Sequence, residues 1–281
     1  MAIDEFIKVE ILLSTYNGER FLDQQLKSII NQTYENWLLI IRDDGSNDAT
    51  ANIIDRYIKR YPQKIKLVSD SLGNLGSSKS FETLIYASQE SYILLCDQDD
   101  EWLPHKIKSS LEKLKEIETN HKDIPILIFT DLIVVDDKMN IINTSFWKSQ
   151  KFSPEIATNY IKLSALNVIT GCTIIFNRTA KKYILPFPDN YSLHDYWIGL
   201  NISYYGIIDY ICTPTILYRQ HSNNVIGAHK INFSYFYIKF KLAYSLAVSY
   251  RKLFNKASFK INYFKFLYYK IYFSLKRIIQ I

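Results

Sequence analysis

The chain has 281 residues, 48% of them hydrophobic and 22% charged, with a net charge of +6; this fits one large domain, or a domain with an appendage, and excludes wholesale disorder. Three cysteines without a CxxC pair exclude a disulfide framework and a cysteine zinc site. The opening MAIDEFIK has acids where a secretory leader needs a basic flank and an apolar run, so a cytoplasmic protein is expected.

VEILLS (9–14) is a short apolar run that reads as a buried strand, followed by the turn TYNGE. FLDQQLKSIIN (21–31) sets Phe21, Leu22, Leu26, Ile29 and Ile30 on one helical face. WLLIIR (37–42) is a second strand ending in DDGSNDAT, where Ser46 or Asp48 is placed to cap the helix that follows. KIKLVS (64–69) is a third strand, GNLGSSKSFETLIYAS a glycine-bearing turn opening a helix, and YILLC (92–96) a fourth strand. A charged helix is expected from Pro104 to about Asn120, then a strand over ILIFTDLIVV. ALNVITGCTIIFN (165–177) is strand-like around a glycine, LHDYWIGLNISYYG reads as a helix with His194 and Asp195 at its start, and IIDYICTPTILYRQHSNN as a closing strand and polar loop.

Strands alternating with helices imply βαβ units and a parallel sheet, which binds ligands beyond the carboxyl ends of its strands. STYN, RDDGS and CDQDD each follow the end of an expected strand and would meet on one rim. The acidic knot Asp97, Asp99, Asp100 and Glu101 is therefore a candidate site, because carboxylates this close resist joint ionisation unless a cation sits among them.

STYNGERFLDQQLKSIINQTYENWLLIIRDDGSNDAT, the DQDD after the fourth strand, GCTIIFN, HDYW and YRQHSNN occur in this order over residues 8 to 229. Together they resemble the inverting family 2 glycosyltransferases of GT-A fold, and DQDDEW with HDYW and RQHSNNVIG is most similar to the rhamnosyltransferase-like bacterial branch. The resemblance implies a Rossmann-like, mostly parallel sheet flanked by helices over residues 1–229. It also implies a nucleotide-sugar donor and a Mg²⁺ or Mn²⁺ cofactor, since a hard divalent cation held by carboxylates neutralises a departing diphosphate. On the matched positions, Asp99 is the direct metal ligand, and Asp97 reaches the ribose or a metal-bound water. Asp44 accepts the N3–H of uracil or thymine, with Ser14 and Tyr16 around the nucleoside. Asp195 is the base that deprotonates the acceptor hydroxyl, although His194 stands where the family more often has Glu. Arg219 and His221 close over the diphosphate or metal, and Lys79 approaches the donor. Competing readings are a turn cap for Asp43, a helix cap for Asp195 or for Asp100 and Glu101, and a solvated lysine or histidine for Lys79 and His221.

From Lys230 onward come eleven Lys or Arg and no acid, leaving −5 on the first 229 residues; from Ile231 there are also sixteen Phe and Tyr. Lys252, Lys256 and Lys260 share a helical face, and no run reaches the roughly eighteen apolar residues of a spanning helix. Residues 230–281 are thus expected to form a basic aromatic helical extension on the inner face of the cell membrane, the alternative being a helical pair packed on the catalytic domain or on a second subunit, with no nucleic-acid partner, since no RNA-binding signature is present. The expected function is metal-dependent single displacement from a nucleotide donor, dTDP-rhamnose being the first choice, to a lipid-linked saccharide in bacterial surface polysaccharide assembly. Alternatives are a UDP-hexose or UDP-N-acetylhexosamine transferase of the same fold, a nucleotidyltransferase, or a membrane-attached binding module. STYNGER is a poor phosphate loop for the nucleotidyltransferase, with one Gly and one Arg.

Overall fold

The computed structural model describes residues 6–189, 193–221, 250 and 253–279. Val9–Thr15 (β1), Trp37–Asp43 (β2) and Tyr92–Cys96 (β4) are buried almost throughout. Their apolar runs do not alternate because both faces of a parallel sheet are covered by helices. Those helices are Leu22–Ile30 (α1), Thr50–Arg60 (α2), Ser77–Ala87 (α3) and Lys106–Glu118 (α4). With Ile65–Leu67 (β3), Ile126–Thr130 (β6), Ile175–Asn177 (β9) and Ile207–Ile211 (β10), the main sheet runs β10-β6-β9-β4-β1-β2-β3. All its pairings are parallel except those of β9 with β4 and β6.

The register sets the site. Val9 pairs with Trp37 and with Tyr92, and Leu13 with Ile41 and Cys96. The carboxyl ends of β1, β2 and β4 are therefore level, and the loops after Thr15, Asp43 and Cys96 open on one rim.

Three sequence expectations change. ILIFTDLIVV is not one strand: it breaks at Asp131, and Ile133–Val135 (β7) joins a second, four-stranded sheet. The break has a cause in Asp131, which is buried yet accepts from Leu132 N, Ser145 Oγ and Trp147 N, turning the chain out of the first sheet. Only β9 of the 165–177 segment is a strand, preceded by a 3₁₀ turn at Gly171–Thr173. The closing strand is also two: β10 in the main sheet, and Ile216–Arg219 (β11), which pairs antiparallel with Glu101–Trp102 (β5) and parallel with β7. Glu101 thus lies in a strand and Asp100 bonds Arg219 N, so neither caps α4. Ile141–Asn143 (β8) completes the second sheet.

After Phe146–Gln150 (α5), Tyr160–Ala165 (α6), Lys181–Ile184 (α7) and His194–Tyr205 (α8), the helix Tyr263–Ile279 (α9) packs on α6. Leu253, Phe259, Phe266 and Phe273 share one hydrophobic cluster with Trp147, Leu163, Tyr196 and Trp197. Burying a phenylalanine contributes roughly 1.5–3 kcal/mol, so the described part of the tail is fastened to the catalytic unit. The boundary expected near residue 230, His229 and Lys252 lie outside the described residues.

Candidate active site

Ser14, Tyr16, Asp44, Asp97, Asp99 and Asp195 all line one cleft of about 420 Å³ on the carboxyl rim of the sheet. They arrive from β1, β2, β4 and α8, far apart in the chain.

On one side Arg42, buried in β2, organises Asp44. Its guanidinium pairs with Asp44, bonds both oxygens of Asp70 at 2.8 and 3.1 Å, and donates to Gly73 O and Ser80 Oγ. Asp44 also accepts from Leu75 N and Gly76 N, each at 2.8 Å. Gly76 has φ +78°, a left-handed value that lets its N–H turn to the carboxylate as α3 begins. A carboxylate offers about four lone-pair sites and three are taken, which leaves one on Oδ2 for a ligand donor. Asp43 ties the turn by accepting from Thr15 Oγ1, Ser46 N and Ser46 Oγ. Asp48 receives Thr50 N just before α2, but the cap position there is Ala49, without a side-chain cap bond, so neither Ser46 nor Asp48 is the cap expected.

The DQDD loop is held from below and beside. Gln98 exchanges two 2.9 Å hydrogen bonds with the backbone of Tyr16. Asp99 Oδ2 meets His221 Nε2 at 2.9 Å, and the His221 ring lies 4.8 Å from that of Phe21. Burial, then the charges of Asp99 and Asp195, push Asp97 up to about 7. Asp100 is pushed well up by burial and by Asp99 and Asp97. Lys106 is fully buried beneath this loop, its ammonium 4.8 Å from the Trp102 ring centre and lowered by burial to about 8. Sequence reading passed over Lys106 and Arg42; the signal was a cation inside an apolar run or next to the acidic one.

The acids fit a hard divalent cation. Asp97 and Asp99 offer carboxylate oxygens to the cleft. Asp97, Asp100 and Cys172 also bring ligand atoms within 4.8 Å of one another, but burial pushes the Cys172 thiol well up. A protonated sulfur is a poor partner for Mg²⁺ or Mn²⁺, so the cleft-facing oxygens are the fitting set.

Asp195 stands in the first turn of α8, where Leu193 rather than Asp195 is the cap residue. Burial raises it to about 6 against the opposing hydrogen bonds of Tyr196 N and Asn167 Nδ2. Its neighbour His194 stacks on Phe81 at 4.3 Å, and Nε2 has no hydrogen-bond partner among the described residues. Burial lowers His194 to about 4, so the ring is neutral near pH 7. A Cβ on Gly171 would meet Nε2 at 2.7 Å, which explains a glycine in GCTIIFN.

Two expected donor-binding residues lie elsewhere. Arg219 does not line the cleft: its guanidinium donates to Asp99 O, Asp137 O and Gln24 Oε1, above the Phe21 ring. It holds the acidic loop by its backbone instead. Lys79 is drawn off by Glu82 at 2.8 Å and Asp189 at 3.3 Å, and faces a neighbouring pocket with Phe187 and Trp197. Among the described residues, His221 reaches the site through Asp99.

A mostly parallel sheet with acids gathered on its carboxyl rim is the architecture of the GT-A glycosyltransferases, enzymes that use nucleotide sugars. Solved structures of that class share the fold. S. aureus TarS 1-349 in complex with UDP-GlcNAc has a TM-score of 0.60 at 16% identity over 90% of this chain and 68% of its own. The mannosyltransferase PcManGT from Pyrobaculum calidifontis in complex with GDP-Man and Mn²⁺ has 0.55 at 16%, over 78% and 59%. The chain belongs to Glycosyl transferase family 2, whose description matches residues 10–184. It is 30% identical to the dTDP-rhamnosyl transferase RfbG of Shigella flexneri, over 77% of this chain and 74% of that protein. It is 26% identical to the UDP-Glc:alpha-D-GlcNAc-diphosphoundecaprenol beta-1,3-glucosyltransferase WfgD of Escherichia coli, over 71% of each.

Proposed function

We propose that this glycosyltransferase moves rhamnose from a dTDP donor to a lipid-linked saccharide, with inversion, at the inner surface of a bacterial membrane during surface polysaccharide assembly. The observation that carries the reading is the meeting of Asp44, Asp97, Asp99 and Asp195 in one cleft. The names of two relatives supply the rest: RfbG is a dTDP-rhamnosyl transferase, and the acceptor in WfgD's name is diphosphoundecaprenol-linked.

In this reading the free lone pair of Asp44 takes the pyrimidine N3–H, while Ser14 and Tyr16 flank the nucleoside. Asp99, with Asp97, holds the divalent cation, which when bound neutralises the diphosphate that leaves. Asp195 removes the acceptor's hydroxyl proton as that oxygen bonds to the anomeric carbon, and the electron pair of the broken bond departs with the diphosphate. Partial desolvation makes Asp195 a stronger base than an exposed aspartate. Asn167 fixes the carboxylate from one side.

Uracil and thymine share the N3–H, so a UDP-hexose donor is the second reading, favoured by WfgD's name. Calorimetric titration of dTDP-rhamnose, UDP-glucose, UDP-N-acetylglucosamine and GDP-mannose with Mn²⁺, followed by hydrolysis assays, separates them. Tight binding and turnover of dTDP-rhamnose are expected; preference for the GDP sugar would overturn the assignment of Asp44.

A further inference from the structure

The described tail contains a surface that neither the core nor the cleft uses. The inner side of α9 is well anchored: Phe266 and Phe273 are buried, Lys270 Nζ donates to Ala165 O, and Arg277 Nε donates to Gln150 O. Its outer side is apolar as well. Phe264, Tyr268, Ile271, Leu275 and Ile279 follow at spacings of four and three, and are 53% to 86% exposed. A surface helix facing water carries polar residues there, and a contiguous exposed apolar stripe marks an interaction surface.

We propose that this stripe seats the protein on an anionic lipid bilayer, with α9 lying in the interface plane. The partner follows from charge. Lys265 and Lys276 stand exposed on the same helix, and the chain from Lys230 to its end has eleven basic residues and no acid. Phe and Tyr beside Lys suit the headgroup boundary of a bilayer, and anionic lipid supplies the countercharge. A second copy of the chain would instead press two acid-free basic tails together. The helix lies flat: its 17 residues span about 25 Å, and among the described residues no helix is long and apolar enough to cross a membrane.

This deepens the proposed function, resting on its lipid-linked acceptor, because the seat and the catalytic acid share a support. Lys270 grips the last residue of α6, Tyr196 Oη donates to Ser164 O in the same helix, and Asn167 just beyond bonds Asp195 at 3.3 Å. Seating α9 therefore fixes the height and tilt of Asp195 above the lipid surface from which the acceptor sugar projects.

The test is co-sedimentation of the full chain with phosphatidylcholine vesicles, with and without phosphatidylglycerol, for the wild type, Tyr268→Glu/Ile271→Glu and Lys265→Glu/Lys276→Glu. Wild type should partition onto the anionic vesicles. The first variant should lose at least about tenfold in partition and the second severalfold, both with nucleotide binding unchanged. No wild-type binding to anionic vesicles, unchanged partition of Tyr268→Glu/Ile271→Glu, or conversion of a wild-type dimer to monomer by that variant would overturn the proposal. Vesicle binding without any nucleotide-sugar binding would sink the transferase reading and leave the seat standing.

Discussion

Around Asp44 the polar groups are matched, while across the same cleft Asp97, Asp195 and His194 have fewer partners than their chemistry demands. All five guanidinium donors of Arg42 find acceptors, and Asp44 takes three hydrogen bonds. Opposite, Asp97 and Asp195 are raised to about 7 and about 6, and His194 Nε2 is unpaired among the described residues. In the proposed function the first side is a preformed seat for the nucleoside, and the second holds unfavourable electrostatics that a cation and a substrate would relieve, as where strongly shifted groups gather in enzymes.

The largest effect should come from the catalytic side. Asp195→Asn keeps the shape and removes the proposed base, so transfer should fall about 10²–10⁴-fold with donor binding retained in calorimetry; near-wild-type turnover would remove Asp195 from the mechanism. On the nucleoside side the damage should be structural. Arg42→Ala leaves Asp44 buried without its cation, and denaturant unfolding should show a loss of about 3–5 kcal/mol; a loss under 1 kcal/mol would mean the network is not what holds this side.

A milder perturbation is pH. The base must be ionised, so kcat/KM should fall about tenfold per unit as pH drops below about 6. The contribution of the raised acids to stability should move the opposite way. Asp97 and Asp195 bind a proton more tightly folded than unfolded, since both are raised from 3.8. Without cation these two groups therefore contribute less stability as pH rises from about 4 to about 7, while His194, lowered to about 4, contributes more between about 4 and 6.5. Asp97→Asn/Asp195→Asn should accordingly melt higher relative to wild type at pH 7 than at pH 4, and an unchanged difference would contradict the shifts. The smallest effect is expected at Lys79→Ala, which should change the donor KM less than about twofold because its charge is committed to Glu82 and Asp189.

The matched side was also the more legible in sequence. Apolar runs and glycine-bearing turns located β1 to β4, and the level strand ends bring STYN, RDDGS and CDQDD together as expected. Side-chain direction was not legible. Arg219 and Lys79 sit at positions from which a long side chain can turn either way, and internal acceptors decided it. Nor was the break at Asp131, where buried hydrogen bonds override an apolar pattern, or the antiparallel β9, whose three residues are too short for periodicity to register. The aromatic tail read first as a surface element, yet in its described part Phe259, Phe266 and Phe273 fill the core, because an aromatic residue suits a protein interior as well as a lipid boundary.

The central claim is that separate acids converge on a cation-bound sugar diphosphate, and paramagnetic resonance of Mn²⁺ with the wild type and Asp97→Asn/Asp99→Asn tests it most directly. Bound Mn²⁺ whose spectrum changes on adding a dTDP or UDP sugar, with both signals lost in the variant, is the expected result. Undiminished Mn²⁺ binding in the variant, or equal nucleotide affinity in excess chelator, would contradict it.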